Sequence, residues 1–210
     1  MGRNRLKLKI EMNFTKLNRF ILVIIFIFFQ TTSSYSTQPI KFIDELVVEV
    51  VLILSSNESE SYKIDKLKKI ANKNVDINGI GLYTLGKYRK SLNDDLKKEY
   101  NELFENYFLK SFANRLVQYK EAKIEIIAED KKNEKYTIVS SILTATKDRP
   151  EIKIDWRVYT KNPEKPLIRD LIIEDLSLAR TQKEEFNSVI QGADGNIEAL
   201  FLKLKKFNNQ

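Results

Sequence analysis

An α+β domain, with N-terminal helices, a four-stranded antiparallel meander sheet and two C-terminal helices, is what this sequence of 210 residues predicts. Three observations predict it. Leu92–Tyr119 is the longest helical pattern in the chain: Leu96, Tyr100, Leu103 and Tyr107, with Phe104, Phe108 and Phe112, recur at three- and four-residue steps. After Tyr119 the period changes to four strand-like runs joined by short connectors, the mark of sequential antiparallel strands. Two amphipathic helical runs then close the chain. The order of helices, strands and helices specifies helices packed on a curved antiparallel sheet.

The first 36 residues read as a leader rather than as part of the fold. Arg3, Arg5, Lys7, Lys9, Lys16 and Arg19 form a basic region, Phe20–Phe29 is an unbroken apolar run, and Ser34-Tyr35-Ser36 offers small residues on the near side of a cut after Ser36. This is the pattern of a cleavable secretory signal peptide. A membrane anchor is the alternative, but the apolar run is about half what a spanning helix needs. Met1 and Met12 are both possible starts. The single domain expected is then 37–210.

The leader also holds most of the charge. Lys and Arg number 36 against 29 Asp and Glu, a net of +7, and six of the bases but only one acid lie in residues 1–36. The remainder is nearly balanced at +2, so the basic character is no nucleic-acid footprint. With no Cys and no His, thiol chemistry, disulfides and the commonest metal ligand and general base are excluded. No cofactor and no metal is expected.

Along the mature chain, Phe42–Leu54 carries β-branched residues that favour strand, but Phe42, Leu46, Val50 and Ile53 fit a helix face, and helix is the reading taken. Asn57–Ser61 is polar punctuation, and its N-x-S pattern is treated as chance. Tyr62–Asn72 is a short basic amphipathic helix, Asp76–Leu85 another short helix, and Gly86–Arg89 a turn. Ser91 offers a capping hydroxyl to the long helix, and Asp94 and Asp95 place negative charge in its first turn. From Phe104 to Val117 apolar residues cover more than half of this helix. Either it is the core helix, or part of it faces something apolar that is not protein.

The strand runs are Lys123–Glu129, Lys135–Thr146, Glu151–Tyr159 and Leu167–Asp175. In the third, Ile152, Ile154, Trp156 and Val158 alternate with Lys153, Asp155 and Arg157. The second has Tyr136, Ile138 and Ile142 on one face and Val139 and Leu143 on the other. The fourth sets Ile168 and Ile172 against Leu171 and Ile173, and such strands need cover on both sides. Asp170 falls between Ile168 and Ile172, so it needs a partner there, Arg157 or Arg89. Asp155 belongs to a cross-strand ion-pair surface. Ser177–Ile190, capped by Ser177 and ended by Gly192, and Asn196–Phe207 are the last helices. No phosphate-binding glycine loop and no G-x-S-x-G elbow is present, and the adjacent acid pairs are surface or capping residues.

With these elements placed, the run Ile154-Asp155-Trp156-Arg157-Val158 followed by Ile168-Arg169-Asp170-Leu171-Ile172-Ile173-Glu174-Asp175-Leu176-Ser177-Leu178 resembles the MlaC/toluene-tolerance family. So do Gln182 with Glu185-Phe186-Asn187-Ser188-Val189-Ile190, and Leu85-Gly86-Lys87-Tyr88-Arg89 and Phe112-Ala113-Asn114-Arg115-Leu116 earlier. The resemblance runs from about Ile40 to Lys206. The sequence departs from the family at Asp175, where Gly is usual, at Lys183, where Arg is usual, and at Pro166, where an aromatic is common.

The resemblance implies an NTF2-like cone with an apolar cavity and a periplasmic carrier of glycerophospholipid. Its implied partners are an outer-membrane lipoprotein–porin complex and an inner-membrane ABC transporter with an MCE-domain subunit, the system that maintains outer-membrane lipid asymmetry. Two acyl tails carry about 30 methylenes at ~0.8 kcal/mol each, so a carrier must offer a dry interior worth roughly 24 kcal/mol. The lipid-binding residues expected are Tyr83, Tyr107, Phe108, Phe112, Leu143, Trp156, Val158, Ile172 and Phe186. Arg89, Arg157 and Arg169 are candidate contacts for phosphate or partner proteins, against a solvated or ion-paired role. The alternatives are a carrier of another membrane lipid such as a hopanoid, a closed-core periplasmic adaptor, and an isomerase on an NTF2-like cone with Asp170 as its acid.

Overall fold

The computed structural model describes residues 38–119, 123–147 and 149–210; the leader expected at 1–36 lies outside them. Four helices come first: α1 (Gln38–Ser55), α2 (Glu60–Asn74), α3 (Ile77–Thr84) and, after a 3-10 turn at Gly86–Lys90, α4 (Asp94–Leu116). The strands β1 (Ile124–Asn133), β2 (Tyr136–Leu143), β3 (Ile152–Tyr159), β4 (Leu167–Ile173) and β5 (Leu176–Ser177) follow, then α5 (Leu178–Gln191) and α6 (Glu198–Asn208). The strands form one antiparallel sheet in the order β1-β2-β3-β4-β5. The architecture is the α+β arrangement expected, with one short strand more.

The β-branched run of α1 is helical because Ile43, Leu46, Val47 and Leu54 all fall on one buried face. Ser59 caps α2 by accepting from the Tyr62 amide at 3.3 Å. Lys63, 8% exposed, turns inward from α2 and donates to the Leu54 carbonyl at 2.9 Å, so its charge rests on the negative end of α1. Asp76 caps α3 through the Gly79 amide at 3.0 Å. Gly81 lets α3 meet α4, since a Cβ there would come within 2.8 Å of the Phe104 ring. The cap of α4 is Asn93, whose Oδ1 accepts from the Leu96 amide at 2.8 Å, and not Ser91. Ser91 has turned back to donate to the Tyr88 carbonyl, which closes the 3-10 turn and removes its hydroxyl from the helix.

Strand β4 differs most from its expected form. It ends at Ile173, and Glu174 and Asp175, with φ of 48° and 64°, make a two-residue turn that returns the chain as β5. Two successive positive φ values identify the type I′ hairpin turn. A bulge at Arg169 also breaks the alternation: Val158 pairs with Ile168, but Arg157 already pairs with Asp170. The extra residue re-phases the strand. Ile168 and Leu171 therefore share the face of Trp156 and Val158, while Asp170 and Ile172 lie with Arg157 and Asp155 on the other. Asp170 does not sit between Ile168 and Ile172 on one apolar face. Asp155 pairs along its own strand with Lys153 at 3.1 Å, rather than across strands.

Three apolar clusters hold the domain. The largest joins α3, α4, α5 and α6 around Tyr100, Phe104, Phe186, Ile190, Leu200 and Leu204. The second sets Ile43, Leu46 and Val47 of α1 on Val139, Val158 and Ile168 of the sheet. The third joins α1, α2 and α4 through Leu54, Leu67, Ala113 and Val117. Val75 packs on both the first and second, and Val50 and Ile53 on both the second and third, so the three are continuous.

Candidate functional site

The apolar second half of α4 begins in closed core and ends half open. Phe104 is 1% exposed and meets the edge of Phe186 at 90°. Phe108 lies on Phe104 with ring centres 6.1 Å apart, and Phe112 stacks on Phe108 at 5.8 Å and 9°. Both outer rings are only partly buried. Tyr107 packs between Phe186 and Phe207, and its hydroxyl donates to Gln182 Oε1 at 2.9 Å. Burial pushes its phenol up, with the Glu185 charge adding to this and the Gln182 bond opposing it, so it remains a neutral donor. Tyr100 is deeper. Thr84 Oγ1 donates to the Gly81 carbonyl at 2.7 Å, which leaves the Tyr100 hydroxyl as donor to Thr84 at 2.9 Å. Burial pushes the Tyr100 phenol far above its ordinary range.

The sheet supplies a separate apolar surface, in a different cluster from the α4 rings. Val158 is fully buried under α1, and Trp156 beside it is half-buried. The Trp156 indole N–H donates to Ser141 Oγ at 2.8 Å, and the Ser141 hydroxyl in turn donates to the Ile154 carbonyl at 3.1 Å. A buried indole and hydroxyl are thereby satisfied, so this face of the sheet presents an apolar surface without an unpaired donor. Leu143, 5% exposed, lies on the same sheet face at the end of β2.

The structure thus gathers Tyr107, Phe108 and Phe186 in the helical cluster, with Phe112 stacked beside them, and Trp156 and Val158 in the sheet cluster. Two of the residues singled out stand apart. Tyr83 is 40% exposed on α3, with the Lys183 ammonium 5.3 Å from its ring centre. Ile172 is turned to the opposite sheet face by the bulge. Val50 and Ile53, read as part of the α1 face but not as site residues, join two clusters, and Leu171, likewise left out of the expected site, is turned toward Trp156 by the bulge. The helical period of α1 was the signal for the first two.

Asp170, Arg157 and Arg169 are engaged in structure. Asp170 is 3% exposed; its Oδ2 accepts from Ser177 Oγ at 2.6 Å and its Oδ1 from the Ala179 amide at 3.0 Å. Ser177 Oγ in turn accepts from the Arg180 amide at 3.1 Å as the cap of α5. Asp170 therefore ties β4 to the start of α5, with Arg157 3.6 Å away as its ionic partner. Arg169, freed by the bulge, lies 3.7 Å from the centre of the Tyr159 ring, bonds the Tyr136 hydroxyl at 2.7 Å and pairs with Asp76 at 2.6 Å. Arg89 is exposed. Among the described residues no group of acids is placed to hold a metal ion, and no helix is long and apolar enough to cross a membrane.

Comparison with known proteins places this arrangement. The family model described as MlaC protein matches residues 44–206. Among solved structures, the phospholipid-binding protein from Ralstonia solanacearum, determined in complex with a phospholipid, is similar with a TM-score of 0.67 and 16% identity, covering 81% of this chain and 96% of that one. At that identity the likeness establishes the fold. No curated protein matches.

Proposed function

Because the chain belongs to the MlaC family, we propose that it is a periplasmic carrier that holds one glycerophospholipid by its acyl tails. The match to the family over residues 44–206 carries this reading, and the phospholipid in the structure of the Ralstonia protein supplies the ligand class. In this reading residues 1–36 export the chain and 37–210 form a single lipid-binding domain. It exchanges lipid with an outer-membrane lipoprotein–porin complex and with an inner-membrane ABC transporter bearing an MCE-domain subunit, and so helps maintain outer-membrane lipid asymmetry.

The tails contact the partly open apolar surfaces first. Phe108 and Phe112 on α4 and Trp156 on β3 are bulky, apolar and half-buried. Leu143, Val158 and Phe186 are buried and are assigned to the deeper part of the lipid site, and a headgroup left in water needs no clamp. A binding role rather than catalysis suits the one acid of interest, since Asp170 is already spent on Ser177 and Ala179.

Native mass spectrometry with lipid extraction, on mature protein purified without detergent, tests the reading. One adduct of the mass of a diacyl phospholipid is the expected result. Well-folded protein with no lipid would overturn it in favour of a closed-core adaptor. Val158→Trp is expected to expel lipid, because the added indole volume must be taken from the lipid tails or from α1, and circular dichroism checks that the fold persists. Lipid retained in this and several similar folded variants would sink the pocket assignment.

A further inference from the structure

Helix α2 carries five lysines against two carboxylates, and their placement is not even. Lys63 is buried and spent on the Leu54 carbonyl. Tyr62, Lys66, Lys69 and Lys73 recur at steps of four, three and four, which on a helix sets them within about 60° of one another in a row about 17 Å long. Tyr62 is 44% exposed, Lys69 and Lys73 are exposed, and Lys66 is partly so, its ammonium 5.2 Å from the centre of the Tyr62 ring.

Some lysines elsewhere have carboxylates, Lys41 with Glu45, Lys97 with Asp94, Lys132 with Asp130, Lys153 with Asp155 and Lys205 with Glu99, while others, Lys161, Lys165 and Lys203 among them, stand singly without an ion pair among the described residues. Lys66, Lys69 and Lys73 form no ion pair among the described residues, even though Asp65 lies four residues before Lys69. The row is positive charge with no internal counter-ion, built on a rigid helix, with an amphipathic ring at one end.

We propose that this row is where the protein docks on a bilayer surface rich in anionic headgroups. Lysine ammoniums are compact point charges on flexible stems, suited to phosphates that move laterally, whereas a fixed acidic protein face is better met by the planar fork of arginine. A tyrosine ring at the edge of such a row sits well at headgroup level. The buried side of α2, about 130° round the helix from the row, places Leu67 against Ala113 and Val117 of α4. Docking through the row therefore sets the Ala113–Val117 end of α4 beside the docked helix. The proposal builds on the carrier reading and adds the surface through which a carrier would approach lipid.

The test is flotation of the mature protein with vesicles of phosphatidylcholine alone and of phosphatidylcholine with phosphatidylglycerol, at low and high salt. Binding is expected only to the anionic vesicles, and to weaken with salt. The triple variant Lys66→Gln, Lys69→Gln, Lys73→Gln is expected to bind about 100-fold more weakly, roughly fivefold per lysine. A control with the same charge change, Lys161→Gln, Lys165→Gln, Lys203→Gln, is expected to bind like the parent. Absence of binding to the anionic vesicles, or an equal loss in both triple variants, would overturn the proposal. The lipid carried by each protein, read by native mass spectrometry, separates the two readings. Parent protein that carries phospholipid but ignores anionic vesicles defeats the docking row alone. Protein that docks through the row but carries no lipid defeats the carrier reading alone.

Discussion

Removal of the Asp170 carboxylate is the sharpest test of how the sheet holds the C-terminal helices. Asp170→Ala leaves the Ser177 hydroxyl and the Ala179 amide, both previously bonded at 2.6 and 3.0 Å, without their acceptor in a buried setting. Each stranded donor costs about 1–3 kcal/mol. The ion pair adds little, because the Arg157 side chain is 41% exposed and stands 3.6 Å away. The sum is about 4 kcal/mol, a large part of the ~5–15 kcal/mol that holds a typical domain. Asp170→Asn keeps the acceptor for Ala179 and offers an N–H to Ser177, whose hydroxyl can accept it, so about 1 kcal/mol is expected. Urea titration at neutral pH, followed through the fluorescence of the single tryptophan, Trp156, measures both. A loss below about 1 kcal/mol for Asp170→Ala, or equal losses for the two variants, would refute the claim that this carboxylate works as a structural acceptor.

Three further outcomes follow from the geometry. Tyr100 has a folded-state pKa raised, chiefly by burial, above its ordinary value of 10.0, so the unfolded chain releases this proton first and stability falls as pH climbs above that value. The slope from this group is at most about 1.4 kcal/mol per pH unit; Tyr100→Phe removes it, which urea midpoints between about pH 9 and 11 will show as a shallower alkaline decline. Asp175, at φ 64° in the I′ turn, gains from replacement by glycine: Asp175→Gly is expected to raise the melting temperature by about 2–4 °C, since the exposed pair with Lys153 at 3.5 Å is worth little. Lys110 donates to the Phe207 and Asn208 carbonyls at 3.2 and 3.3 Å, the orphan acceptors at the end of α6. Lys110→Met is expected to cost about 1 kcal/mol and to speed amide exchange in α6.

Most of the architecture was legible because it rests on periodicity. The three- and four-residue steps through Tyr100 and Phe104 marked α4, and the clean alternation of Ile152 to Val158 marked β3. Ser177 announced the cap of α5. What escaped depends on single residues. Ser91 and Asn93 both carry capping groups two positions apart, and only the local turn decides which hydroxyl or amide is spent elsewhere. Leu176 and Ser177 are too few to show a strand period. The bulge at Arg169 made β4 look apolar on both faces, since a strand that changes phase midway leaves the same trace as one buried on both sides. That confusion also governed the candidate site. Phe186, Tyr107 and Phe108 followed from helix faces and lie together, whereas Ile172 was assigned a side by simple alternation, and the exposure of Tyr83 depends on where α3 packs.

The extra residue at position 169 also makes β4 a ruler. Deletion of Ile172, beyond the bulge, would turn the end of the strand over, sending Ile173 to the side now held by Asp170 and Ile172. Deletion of Arg169 would leave Ile168, Leu171 and Ile173 in phase and keep Asp170 opposite Arg157, since the bulge is the one surplus count in the pairing with β3. The strand's inward pattern thus tolerates a change of length at one place only, and that place is filled by the arginine that holds Asp76, Tyr136 and Tyr159 together. The phase of the strand and the side-chain part of the join between α3 and the sheet meet at a single residue, beside the Asp76 amide that donates to the Ile168 carbonyl at 2.9 Å.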